Sequence, residues 1–178
     1  MADIKVLKGK PNHFEDFYKL FVKTLRGGLF LYSENSIAFI LEENLAKDFL
    51  KQEIAKGNKY FFLAYQDNKL GGYLLTNKTH GGVAFGHWLA VDLKFQKRGV
   101  ASALLSFWEK DAIGEGAHKL QLWTTKNNLT FYKNRGFFKG GNFPDSWFGV
   151  DHFLFYKTLR NSEEKNFLGH YSKSKKNK

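Results

Sequence analysis

The sequence predicts a mixed α/β domain, α+β in character, in which a central sheet of about seven strands is flanked by about four helices. Three observations predict it. Apolar residues recur at helical spacing in some stretches and as short strand-like runs in others. Glycines punctuate most of the boundaries between them. Near the middle, the apolar run Trp88-Leu89-Ala90-Val91 stops at Asp92, turns through the basic loop Gln96-Lys97-Arg98-Gly99-Val100-Ala101, and continues as an amphipathic run with Ala103, Leu104, Leu105 and Trp108. That is a buried strand, a glycine turn and a helix.

The elements follow in the order β-α-α-β-β-β-α-β-α-β-β. Ile4 to Leu7 forms the first strand. Pro11 and Asn12 open a helix in which Phe14, Phe17, Tyr18, Phe21, Val22 and Leu25 share one face, and Gly27-Gly28 ends it. A second helical stretch runs from about Glu34 to Lys56 and stops at Gly57. Tyr60 to Tyr65 and Leu70 to Thr76 are strands joined at Asp67-Asn68. Gly81-Gly82 turns the chain into a strand from Val83 to Val91. The helix after the basic loop reaches about Ile113. Leu120 to Thr124 is a strand, Leu129 to Asn134 a short helix, and Phe137 to Phe138 and His152 to Thr158 close the sheet around an aromatic loop.

Residues 1–160 read as a single domain and 161–178 as a basic, flexible tail. With 178 residues, 43% hydrophobic and 17% aromatic, the chain can bury a proper core. No apolar run approaches the ~20 residues a membrane helix needs. The start, Met1-Ala2-Asp3-Ile4-Lys5, lacks the shape of a signal peptide, so a cytoplasmic location is expected. The absence of cysteine excludes disulfides, thiolate metal sites and cysteine nucleophiles, and no metal is expected. The net charge of +11 favours polyanionic partners. Part of it sits in the tail, where Arg160, Lys165, Lys173, Lys175, Lys176 and Lys178 face only Glu163 and Glu164.

The basic loop is an anion cradle by simple physics. The first amides of a helix are unpaired and carry partial positive charge, which suits a phosphate or pyrophosphate. Lys94, Lys97 and Arg98 add full charges beside it.

Gln-x-x-Gly-x-Ala after Leu-Ala-Val-Asp resembles the acetyl-CoA signature of the GCN5-related N-acetyltransferases, or GNAT family. Phe62 to Tyr73 resembles that family's second-to-third strand hairpin, and Phe131-Tyr132-Lys133-Asn134-Arg135-Gly136-Phe137 its Phe-Tyr-x-x-x-Gly-Phe motif. The element order matches as well, over roughly residues 3 to 159. The resemblance implies a GNAT-type acyl-CoA N-acyltransferase fold, acetyl-CoA as cofactor, and direct acetyl transfer to an amine in a ternary complex. A non-catalytic acyl-CoA-binding sensor on the same fold is the alternative.

The resemblance also implies roles for particular residues. The amides of Leu89, Ala90 and Val91 would face the acetyl group and pantetheine arm. Gln96, Lys97, Arg98, Gly99, Val100, Ala101 and Ser102 would hold the pyrophosphate. Tyr132 corresponds to the general acid, and a phenol with a pKa of ~10 stays protonated for that task. His87 falls where many relatives carry a glutamate, and strand alternation would point His87, Leu89 and Val91 to one face. It is a candidate base, equally readable as a packing residue; Asp92, His80 and His152 are weaker candidates, Asp92 mainly as a strand-end cap. The family asparagine that contacts the pantetheine falls on Thr125, so Asn128 is a candidate substitute or simply an N-cap. The acceptor would lie between two aromatic loops bearing Phe30, Tyr32, Asp145 and Trp147, with Asp145 equally a turn residue.

The expected partner is a small-molecule or peptide amine. A homodimer is compatible with the sequence. A nucleic-acid module ranks last, because the lysines gather in the tail while the aromatics follow core periodicity.

Overall fold

The computed structural model describes residues 3–28 and 31–168. Strands β1 (Ile4–Lys8), β2 (Lys59–Gln66), β3 (Lys69–Asn77), β4 (Val83–Val91), β5 (Lys119–Thr124), β6 (Phe138–Phe143) and β7 (His152–Thr158) form one sheet in the order β1-β2-β3-β4-β5-β7-β6. Every pairing is antiparallel except β4 with β5. The β2–β3 hairpin turns at Asp67 (φ 51°) and Asn68 (φ 60°), both left-handed as a tight two-residue turn requires.

Helices α1 (Phe14–Arg26), α2 (Glu34–Phe39) and α3 (Lys47–Ala55) contribute to a core that meets the sheet at Phe61, Leu63, Tyr73, Leu75 and Trp88. Helices α4 (Val100–Gly114) and α5 (Leu129–Lys133) belong to a second core, with Phe62, Leu74, Leu120, Leu122 and Phe155. The alternation of β2 and β3 explains this division: successive residues feed opposite layers. Trp108 of α4 reaches the sheet because Gly86 leaves room for it; a Cβ there would lie 2.8 Å from the indole.

The stretch expected as one helix from Glu34 to Lys56 is broken. A wider turn at Ile40–Asn44 and an extended residue, Ala46, separate α2 from α3. Burial explains the break. Ile37, Ile40, Leu45 and Leu50 are all in the core, yet on one ideal helix Leu50 would project from the far side to Ile37. Strand β6 runs to Phe143, well past the expected Phe138, because a register shift between Lys139 and Gly141 absorbs the glycine pair. In the stretch read as a tail, a short helix, α6 (Glu164–Phe167), sets Phe167 against the His118 ring. No helix among the described residues is long and apolar enough to cross a membrane.

Candidate active site

The basic loop forms one side of a groove of about 640 Å³. Gly99 adopts φ 91°, a conformation that costs little without a Cβ, and α4 begins at Val100. The first helical bond runs from the Ala103 amide to the Gly99 carbonyl, which leaves the amides of Val100, Ala101 and Ser102 without partners inside the helix. Gln96, Lys97, Gly99, Val100, Ala101 and Ser102 all line the groove; Arg98 is exposed but not part of its lining. Across from them, Arg135 donates to the Ser102 hydroxyl and stacks over Phe131. The groove is therefore basic and rich in amide donors, as a diphosphate requires.

Strands β4 and β5 part company at the head of this groove. Their pairing ends at Gly86–Leu122, while β5 stays with β7 through Thr124. On the other side of β4, the Asp92 amide donates to the Gly71 carbonyl of β3, so by antiparallel alternation Ala90 also faces β3. Leu89 and Val91 then turn their main-chain groups toward the gap, and Val91 O accepts from Gln96 Nε2 at 3.2 Å. Among the three amides expected to serve the acyl group, those of Leu89 and Val91 are presented and that of Ala90 is spent on the sheet.

Beyond the gap lies a second cavity, a cleft of about 360 Å³. Its walls are aromatic: Tyr32, Phe85, Trp88, Trp123, Trp147 and Phe148. Its polar lining comes from Asn44, Asn77, Thr124, Thr125, His87 and His152. Leu89, Asn128 and Tyr132 line both cavities, so the two meet at these residues.

Tyr132 is buried against Phe131, Phe137 and Phe155, and burial pushes its phenol above the ordinary tyrosine range. It stays neutral at any working pH. The Asn128 side chain makes no capping bond to α5 and stands exposed where the cavities join.

His87 does not share a face with Leu89 and Val91 as alternation alone predicts. Pairing shifts register so that Leu75 opposes Trp88 and Thr76 opposes Gly86, leaving His87 as the extra residue of a bulge. Leu89 and Val91 pack with the α4 core, whereas the His87 ring lies beside Phe85 and Trp88 in the cleft. Its Nδ1 is buried without a hydrogen-bond partner among the described residues. Burial first, and the Lys59 charge second, push its pKa down to about 4.

Of the residues expected to bind the acceptor, Tyr32 and Trp147 line the cleft. Asp145 does not; it is an exposed turn residue with φ 45° whose amide donates to Asp151. Phe30 lies outside the described residues. Asp92 accepts from the Lys94 amide and pairs with Lys23, which holds its carboxyl below the usual range and marks it as a strand-end cap.

The family model of the GNAT acetyltransferases matches residues 16–137. The chain belongs to that family. No curated protein matches it in sequence. Solved structures share the GNAT fold at low identity. The PaiA N-acetyltransferase of Thermoplasma acidophilum, solved with coenzyme A, is 22% identical over 88% of this chain and 99% of its own, with a TM-score of 0.71. YncA of Salmonella typhimurium, solved with acetyl-CoA, is 11% identical over 91% and 97%, with a TM-score of 0.70. Ard1 of Thermoplasma volcanium is 19% identical over 89% and 99%, with a TM-score of 0.64.

Within this GNAT frame, sequence reasoning missed Asn44, Asn77, Phe85 and Thr124, which reach the cleft from separate elements. It also ranked His152 low. His152 links the two aromatic loops: Nε2 lies 3.2 Å from Tyr32 Oη and Nδ1 2.7 Å from Ser146 Oγ. The aromatic character of both loops was the available signal.

Proposed function

We propose that the protein is an N-acetyltransferase that moves the acetyl group of acetyl-CoA directly to an amine. The observation that carries this reading is the junction of a basic, amide-rich groove with an aromatic cleft at Leu89, Asn128 and Tyr132. The chain's own residues fit coenzyme A: the open start of α4 would face its diphosphate, and the unpaired edge of β4 suits the pantetheine arm.

Bound acetyl-CoA supplies an activated thioester carbonyl. The Leu89 amide, fixed on the free edge of β4, donates to the carbonyl oxygen as charge builds there; loss of one such donor costs ~3–4 kcal/mol in other enzymes. The amine nitrogen forms its bond to the carbonyl carbon as the carbon–sulfur bond breaks. Tyr132 gives its phenolic proton to the departing sulfur, and solvent restores it. His87 takes the amine's proton. Being neutral down to about pH 4, it is a weak base, so it serves an amine that has already shed its ammonium proton among the apolar walls of the cleft.

Release of free thiol from acetyl-CoA, measured across a panel of amines, tests the reading. Amine-dependent release supports it. Cofactor binding with no release on any amine would replace it with the sensor reading.

A further inference from the structure

The cleft carries information about its acceptor that the fold does not. Six aromatic side chains drawn from the α1–α2 connection, β4, β5 and the β6–β7 loop surround it. Trp123 and Trp147 meet edge to face at 5.4 Å, and Tyr32 and Phe148 do so at 5.1 Å. Among the described residues no aspartate or glutamate lines the cleft. Asp145, Glu42 and Glu43 are exposed and excluded from its lining. The charge of the half-buried Lys59 acts on His87; its Nζ donates to Asn77 Oδ1 at 2.7 Å, and Asn77 itself lines the cleft. That charge has the same sign as an ammonium.

These features select a class. One ammonium can approach aromatic faces favourably. Each further ammonium would enter with no carboxylate to pair it, and an unpaired buried charge is costly. Asn44, Thr124 and Thr125 offer hydrogen bonds to neutral groups instead. The cleft volume of about 360 Å³ lies at the small end of ligand sites, which run from ~300 to 1,000 Å³. We infer that the acceptor is a small primary amine on a flat, apolar body with no second positive charge, an inference that rests on the acyl-transfer reading above. Polyamines and polycationic sugars are excluded by the same lining.

The experiment compares 2-phenylethylamine with spermidine on the full chain, in two measurements. With acetyl-CoA, thiol release should show a kcat/KM for 2-phenylethylamine at least ~100-fold above that for spermidine, about 2.7 kcal/mol. With saturating coenzyme A, 2-phenylethylamine should quench the tryptophan emission of the cleft and spermidine should not. The variant Trp147→Leu should raise KM for 2-phenylethylamine ~10-fold while leaving KM for acetyl-CoA unchanged. Faster turnover of spermidine would overturn the acceptor class and leave acetyl transfer standing. Quenching by 2-phenylethylamine without thiol release from any amine would support this class of amine as the ligand of the cleft and overturn the transferase reading. The absence of both quenching and turnover with 2-phenylethylamine would overturn the acceptor class.

Discussion

Tyr32 and His152 come from opposite ends of the chain, yet Tyr32 Oη and His152 Nε2 lie 3.2 Å apart and their rings stack with centroids 6.3 Å apart. The contact joins the connector before α2 to the start of β7, and both residues line the aromatic cleft proposed to take the acceptor. His152→Ala should therefore loosen the acceptor site alone. Steady-state kinetics should show acceptor KM raised ~5–10-fold, with kcat and acetyl-CoA KM within about twofold of wild type. An equal fall in kcat on saturating acceptor would show that the residue does more than position the loops.

Tyr132→Phe removes the proton donor while keeping the ring that packs on Phe131, Phe137 and Phe155. A general acid is worth ~10²–10⁴-fold, so kcat should fall by at least ~10² while coenzyme A affinity stays unchanged. Because burial raises the phenol above its ordinary range, wild-type activity should also show no alkaline loss from this group below ~pH 10. Retained turnover in the variant would remove Tyr132 from the acid role.

Much of this was legible in the sequence. The hairpin at Asp67-Asn68, the full span of β4, the glycine loop and α4 all follow from local chemistry: turn residues, apolar runs and helix periodicity. What escaped is non-local. The bulge at His87 depends on register against β3, which residue 87 does not encode on its own. The break between α2 and α3 arises because Leu45 and Leu50 must both reach the sheet-facing core. The cleft gathers Asn44, Asn77 and Thr124 from a helix turn and two strands, so no short motif contains them. The cofactor groove was readable because one contiguous segment builds most of it.

The bulge gives His87 a stability signature. Its pKa is lowered from 6.5 to about 4 in the folded chain, so between those values the unfolded chain binds the proton first. The folded state thus loses stability as pH falls through this window, by up to about 3 kcal/mol from this group. Urea unfolding of wild type and His87→Gln at pH 7 and pH 4 should show the smaller acid loss in the variant. Equal losses would mean that His87 is not held neutral. In activity, any acidic limb due to His87 should lie near pH 4 and vanish in the variant.

Gly99 holds φ 91° at the start of α4, where, among the described residues, only Ile4 Cδ1, at 3.5 Å, approaches a would-be Cβ. Space is available but the backbone conformation is strained for other residues. Gly99→Ala should cost ~1–2 kcal/mol in unfolding free energy and weaken coenzyme A binding as the loop relaxes. Full stability with full affinity would show that the left-handed turn is dispensable.

The loop from Gln96 to Ser102 is expected to grip a diphosphate and to lead its thioester arm to Tyr132. Calorimetric titration of coenzyme A into the protein at low and high salt measures it directly. Binding should be one-to-one, with an affinity that falls as salt rises and is diminished in Gly99→Ala. An absence of heat at both salt concentrations, with no thermal stabilisation of the protein by coenzyme A or acetyl-CoA, would contradict it.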